Sequence, residues 1–214
     1  MAAQERTERL STGIGPLDRH LDGGIFPGSI VALIAPPESQ SEPIIHATMR
    51  QRPSTYVTTR RDETAVESDL HRSLPPDVEY ELHYAERGSQ LATVARQIER
   101  LEEEQNLIVD VIDPLEDNDD ATHYEELLND LKTRLLETGS VALLHCESTE
   151  QPSENRDRTQ TFADVVWDLS IEVNGTDLEN RLAVPKFRGN EIVDETIKLE
   201  LGQDVSVDTS RDIA

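Results

Sequence analysis

A chain of 214 residues is long enough for one α/β domain with a sizeable core and too short for two. Its formal net charge is −24, and only Lys132, Lys186 and Lys198 among its 20 basic residues are lysines, so no basic stripe exists to form a broad nucleic-acid surface. This acidic, lysine-poor and aromatic-poor balance favours a salt-rich cytoplasm such as that of halophilic archaea, because charge repulsion is screened within about 3 Å at roughly 1 M salt.

The N-terminal stretch "MAAQERTERL" lacks the apolar core of a secretory signal, and no stretch approaches the length of a membrane span. A cytoplasmic, soluble protein is expected. The single cysteine, Cys146 in "VALLHCES", leaves no intramolecular disulfide and reads as a buried, inert thiol. Residues 1–10 and 202–214 are polar and are expected to be flexible tails around one domain at 11–201.

In chain order, residues 29–35, 54–59, 80–85, 106–113 and 140–146 are short aliphatic and β-branched runs, as buried strands should be. Helices lie between them. Leu91, Val94, Ala95, Ile98 and Leu101 recur at helical spacing in 89–105. Tyr124, Leu127, Leu128, Leu131 and Leu135 do the same in 122–138, with Gly139 as the stop. Strand–helix alternation predicts a mostly parallel central sheet with helices on both faces. After residue 160, extended segments separated by Asn-Gly and Gly-Asn predict antiparallel edge strands. The acidic segment 116–126 lacks the spaced ligands and central glycine of a calcium loop, and reads as a solvated loop before a helix.

The stretch "LIAPPESQSEP" (33–43) sits where a strand runs into a helix, the usual place of a phosphate loop. In the pattern GxxxxGK[ST], glycines let backbone amides wrap the phosphates, lysine neutralises them, and Ser or Thr ligates magnesium. Here Ala35 takes the first glycine, Pro36, Pro37, Glu38 and Ser39 the variable positions, Gln40 the second glycine, Ser41 the lysine and Glu42 the hydroxyl. Every anchor is missing, and Glu38 and Glu42 bring negative charge towards any polyphosphate.

The stretch "STGIGPLDRHLDGGIFPGSIVALIAPP" (11–37), with Thr12, Gly13, Leu17, Asp18, Gly23, Gly24, Pro27 and Gly28 in register, resembles the first part of KaiC-type domains of the RecA superfamily. "FADVVWDLSIEVNG" and "NRLAVPKFRG" resemble that family's late strands. The resemblance covers 11–201 and implies an α/β, RecA-like P-loop NTPase fold with a degenerate Walker A loop.

The resemblance also assigns positions. The aspartate that holds the magnesium shell falls best on Asp113, with Asp110 as the alternative, although an Asp before Pro also makes an ordinary turn or cap. The paired glutamates that activate water fall on Arg60 and Arg61, so the general base is absent, and nothing places Glu63 within reach to replace it. Lys186 and Arg188 fall on a pair that reaches a ring neighbour's phosphates like an arginine finger. They otherwise pair with carboxylates of an acidic surface.

His145 and Cys146, adjacent in a strand, point to opposite faces and cannot form a nucleophile–base couple. His145 reads as core or mildly functional, at a point where relatives often carry a polar nucleotide sensor. Arg156 and Arg158 are expected in an exposed loop, a weak basis for DNA contact.

The reading that follows is a non-catalytic regulatory or scaffolding subunit with no cofactor. Its partner is another copy or an active paralogue, with no membrane and no direct nucleic-acid role. The alternatives are a divergent ATPase binding ATP and magnesium through Ser39, Ser41 and backbone donors, and a recombination or DNA-repair accessory.

Overall fold

Six strands, the inner ones carrying runs of buried apolar residues, build the parallel part of one nine-stranded sheet. The computed structural model describes residues 8–118, 120–175, 177–190, 195–202 and 205–207. The strands are β1 (Ile30–Ala35), β2 (Ser54–Thr58), β3 (Tyr80–Tyr84), β4 (Asn106–Asp110), β5 (Val141–Glu147), β6 (Val165–Asn174), β7 (Asp177–Phe187), β8 (Ile197–Leu201) and β9 (Val205–Val207). Their order is β3-β2-β4-β5-β1-β6-β7-β8-β9. Pairing is parallel from β3 to β6 and antiparallel from β6 to β9. The mostly parallel sheet with antiparallel C-terminal strands is therefore present. Strand β3 is half exposed, because it closes one edge. Strand β9 lies within the stretch 202–214 expected to be a tail, held by pairing with β8; residues 1–7 and 208–214 lie outside the described residues.

The helices are α1 (Gly15–His20), α2 (Glu42–Met49), α3 (Glu63–Ser73), α4 (Gln90–Arg100), α5 (Asp113–Glu116), α6 (Ala121–Thr138) and α7 (Arg156–Phe162). One sheet face packs against α1, α2 and α3 through Leu17, Ile44, Ile45, Val66 and Leu70. The other packs against α4 and α6 through Val94, Ile98, Tyr124, Leu128 and Leu131. Both helical stripes seen in the sequence are core. Helix α4 stops at Arg100 because Leu101 turns to extended backbone, and α6 stops where Gly139 takes φ +66°. Asp120 caps α6, accepting hydrogen bonds from the amides of Thr122 and His123.

The "STG…D" signature has a structural purpose. Asp18 accepts hydrogen bonds from the Ser11 hydroxyl at 2.6 Å and from the Thr12 amide and hydroxyl at 2.8 and 2.6 Å. Gly13 has φ +79°, and a Cβ there would lie 2.1 Å from the Ala47 carbonyl oxygen, so only glycine lets this segment close on α2. Among the described residues, no helix is long and apolar enough to cross a membrane, and no group of three or more His, Cys, Asp or Glu side chains is placed to hold a metal ion.

Candidate functional site

In an open parallel sheet, ligands sit beyond the carboxyl ends of the strands near the point where strand order reverses. Here that region lies above β1, β4 and β5, where β1 gives way to α2 through residues 36–40. Pro37, Glu38 and Gln40 are exposed. The Ser39 amide and hydroxyl both donate to the Pro36 carbonyl, at 2.9 and 2.6 Å, so this hydroxyl is used inside the loop. Ser41 occupies the N-cap of α2 but makes no side-chain cap, and Pro43 in the first turn removes one amide donor.

The Ser41 side chain turns beneath the loop instead. Its Oγ lies 3.1 Å from Nε2 of His145. Nδ1 of His145 lies 2.5 Å from Oδ1 of Asp110, and the Tyr56 hydroxyl donates to Oδ2 of Asp110 at 2.5 Å. All four residues are buried. The register explains the convergence: Asp110 pairs with His145, and Thr58, two residues after Tyr56, pairs with Asp110, so the three side chains stand on the α2 face of adjacent strands. Burial alone would raise the Asp110 carboxyl. Hydrogen bonding and charge from His145, the Tyr56 hydroxyl and the Arg61 charge outweigh it and hold the carboxyl below the usual carboxylate range. Burial, reinforced by Asp110, pushes the Tyr56 phenol well up, so it remains a donor.

Asp113, favoured on resemblance for the magnesium position, stands elsewhere. It opens α5, and its carboxylate accepts from Arg156 at 2.7 Å and from the Glu147 amide at 3.0 Å. The carboxylate beneath the loop is Asp110, the alternative. Arg60 pairs with Glu147 at 2.9 Å, and Arg61 pairs with Asp69. Glu63 is exposed in the first turn of α3.

Arg156 corrects an expectation. It is buried rather than exposed on a loop, because α7 begins at this residue and turns it into the other side of the sheet. Its Nε lies 2.9 Å from both Glu116 carboxylate oxygens, its Nη1 donates to the Glu147 carbonyl at 3.0 Å, and its Nη2 binds Asp113. Thr159 also donates to Glu116, and the Tyr124 hydroxyl meets Thr159 at 2.7 Å. Arg158 is partly exposed and bonds Asn155 and Glu125. Cys146 is fully buried on the face opposite His145.

Lys186 donates to the carbonyls of Gln160 and Thr161 at 2.6 and 3.1 Å. Arg188 donates to Thr161 at 2.9 Å and pairs with Asp164 at 3.3 Å. Both cations therefore sit at the C-terminal end of α7, where the last carbonyls and the helix dipole favour positive charge. Burial and then the neighbouring Arg188 lower the Lys186 ammonium. An open depression of about 750 Å³ adjoins them, lined also by Ile34, Val166 and Asp168.

These residues do not fit magnesium-bound ATP. The lysine position is a serine committed to His145, the hydroxyl ligand is Glu42, and Glu38 adds a further negative charge.

Residues 9–214 match a family described as a family of unknown function, DUF7125. The chain belongs to that family. No curated protein matches it. Among solved structures it is similar to the KaiC-like protein PH0186 from the hyperthermophilic archaeon Pyrococcus horikoshii OT3, at a TM-score of 0.73 and 17% identity over 94% of this chain and 99% of that one. At that identity the likeness establishes the fold, which is KaiC-like and RecA-like, and leaves function to the site.

Sequence reasoning missed the Tyr56–Asp110–His145–Ser41 chain. The only signal was one ionisable residue near the carboxyl end of each of two apolar strands, Asp110 and His145.

Proposed function

We propose that this DUF7125 member is a KaiC-like domain that has given up ATP chemistry and serves as a regulatory or scaffolding subunit, with no nucleotide or metal cofactor. The observation that carries the proposal is the side chain in the lysine position. Ser41 is buried and its hydroxyl is held by His145, so the side chain in the lysine position offers no positive charge to a terminal phosphate. The Arg60–Glu147 ion pair, in the region where a general base would stand, supports the same reading.

A scaffold needs a partner, and the proposed docking face is the depression beside Lys186 and Arg188, taken by a second copy or by an active paralogue. Direct DNA contact through Arg156 is not part of the proposal, since that side chain is buried. The divergent-ATPase reading draws on one feature, the Asp110 carboxylate beneath the loop, and it predicts ATP and magnesium binding.

The partner is sought by crosslinking and sedimentation of the full chain in molar KCl. Replacing Lys186 and Arg188 together by alanine is expected to weaken any recovered association at least about tenfold, as loss of close interfacial cations does. The same change removes two cations from the end of α7, at a cost of about 1 kcal/mol in stability. Circular dichroism of the variant therefore accompanies the binding measurement. A folded variant that associates as tightly as the wild type contradicts this docking face.

A further inference from the structure

The polar chain beneath the loop has a connectivity that neither a nucleotide site nor an inert core requires. Ser41 Oγ contacts Nε2 of His145 at 3.1 Å, and Nδ1 of the same ring contacts Asp110 Oδ1 at 2.5 Å. Tyr56 holds the second oxygen of that carboxylate. In a neutral imidazole satisfying both contacts, Nδ1–H is donated to Asp110 and the Nε2 lone pair is presented to the Ser41 hydroxyl. This is the geometric test for an activated nucleophile: hydroxyl to base, base to an orienting carboxylate. Ser41 also stands at a strand–turn–helix junction, between β1 and the eight-residue helix α2. The chain order is Ser, Asp, His, the order in which nucleophile-elbow hydrolases carry their triad.

We infer that Ser41, His145 and Asp110 form a nucleophile–base–carboxylate relay able to act on small carboxylic esters. Ser41 Oγ attacks the ester carbonyl carbon while its proton passes to His145 Nε2. The tetrahedral intermediate then breaks its bond to the leaving oxygen, which takes that proton and departs as the alcohol. Water next attacks the acyl-serine, losing a proton to His145, and the acid leaves as the proton returns to Ser41. One ester and one water give one acid and one alcohol. Asp110 holds the ring in the required tautomer and stabilises the imidazolium.

Size and charge limit the substrate. Ser41 is only 4% exposed, so the acyl group must be small. Exposed Glu38 and Glu42 disfavour anionic esters.

This inference is independent of the scaffold proposal, since ATP binding and serine reactivity are read separately. The full chain in molar KCl is incubated with a fluorophosphonate, and the adduct is located by intact mass and peptide mapping; p-nitrophenyl acetate supplies a turnover readout. The expected result is one adduct per chain, on Ser41, absent in Ser41→Ala. In His145→Gln, acetate release is expected to fall about 10²-fold or more, the usual worth of a general base. Mapping on the wild type needs no variant, so a His145 variant that fails to fold does not spoil the test. No adduct after prolonged exposure to millimolar probe, or an adduct on another residue, overturns the inference.

Discussion

Replacing Arg156 by alanine is expected to cost about 3–5 kcal/mol of folding stability, the typical penalty for removing one partner from a buried ion pair. The arginine, Asp113 and Glu116 side chains are 6, 6 and 0% exposed, so the two carboxylates left behind would have neither a counter-ion nor water. Burial pushes the Glu116 carboxyl up despite the opposing hydrogen bonds from Arg156 and Thr159, and losing the arginine leaves only the Thr159 hydrogen bond against burial. The cluster also ties together α5, α7 and the end of β5, because the same guanidinium bonds Glu147 O. Denaturant unfolding in molar KCl measures the loss, and little of it should be recovered by salt, since buried pairs are weakly screened. A change below about 1 kcal/mol, the range of an exposed pair, would contradict this assignment.

The second large effect is acid sensitivity through His46. This residue lies in α2 beside the Asp110 network, and its pKa is lowered from 6.5 to about 4. Burial is the main cause and the Arg50 charge the next, with Asp110 and Asp69 pulling the other way. A depressed histidine pKa means that the unfolded chain binds the proton more readily than the folded one. The stabilisation is therefore fully present above pH 6.5 and is lost as pH falls from 6.5 towards 4. By linkage the loss reaches about 3 kcal/mol at pH 4. Asp110, whose carboxyl is held low, loses its contribution only at more acidic pH, which separates the two groups. Unfolding curves of wild type and His46→Gln, compared across this range, isolate the effect from the protonation of other carboxylates. The wild type should lose about 3 kcal/mol more than the variant; parallel pH profiles would show that His46 is not responsible.

Much of this fold was legible because periodicity reports burial. Four of the five predicted strands, all but the half-exposed edge strand β3, are apolar runs that lie buried, and the stripes of α4 and α6 sit on core faces at helical spacing. Absence of the GxxxxGK[ST] residues from 33–43 is likewise a local feature of the sequence. What could not be read depends on distant pairing. Asp110 and Asp113 stand three residues apart in "DVID", and only strand register, with His145 35 residues away, decides which lies under the loop. The burial of Arg156 rests on Glu116 and Asp113, 40 and 43 residues distant. No composition argument separates such an arginine from an exposed one. Strand β9 was hidden because its three residues have too few apolar positions to signal a strand before β8 offers an edge.

We propose that the serine in place of the phosphate-binding lysine closes this site to nucleotides. Titration calorimetry of the folded full chain with magnesium-ATP in molar KCl tests it most directly. No saturable heat is expected at millimolar nucleotide. Saturable binding at micromolar concentration, reduced in Asp110→Asn, would overturn this proposal and favour a divergent nucleotide-binding domain instead.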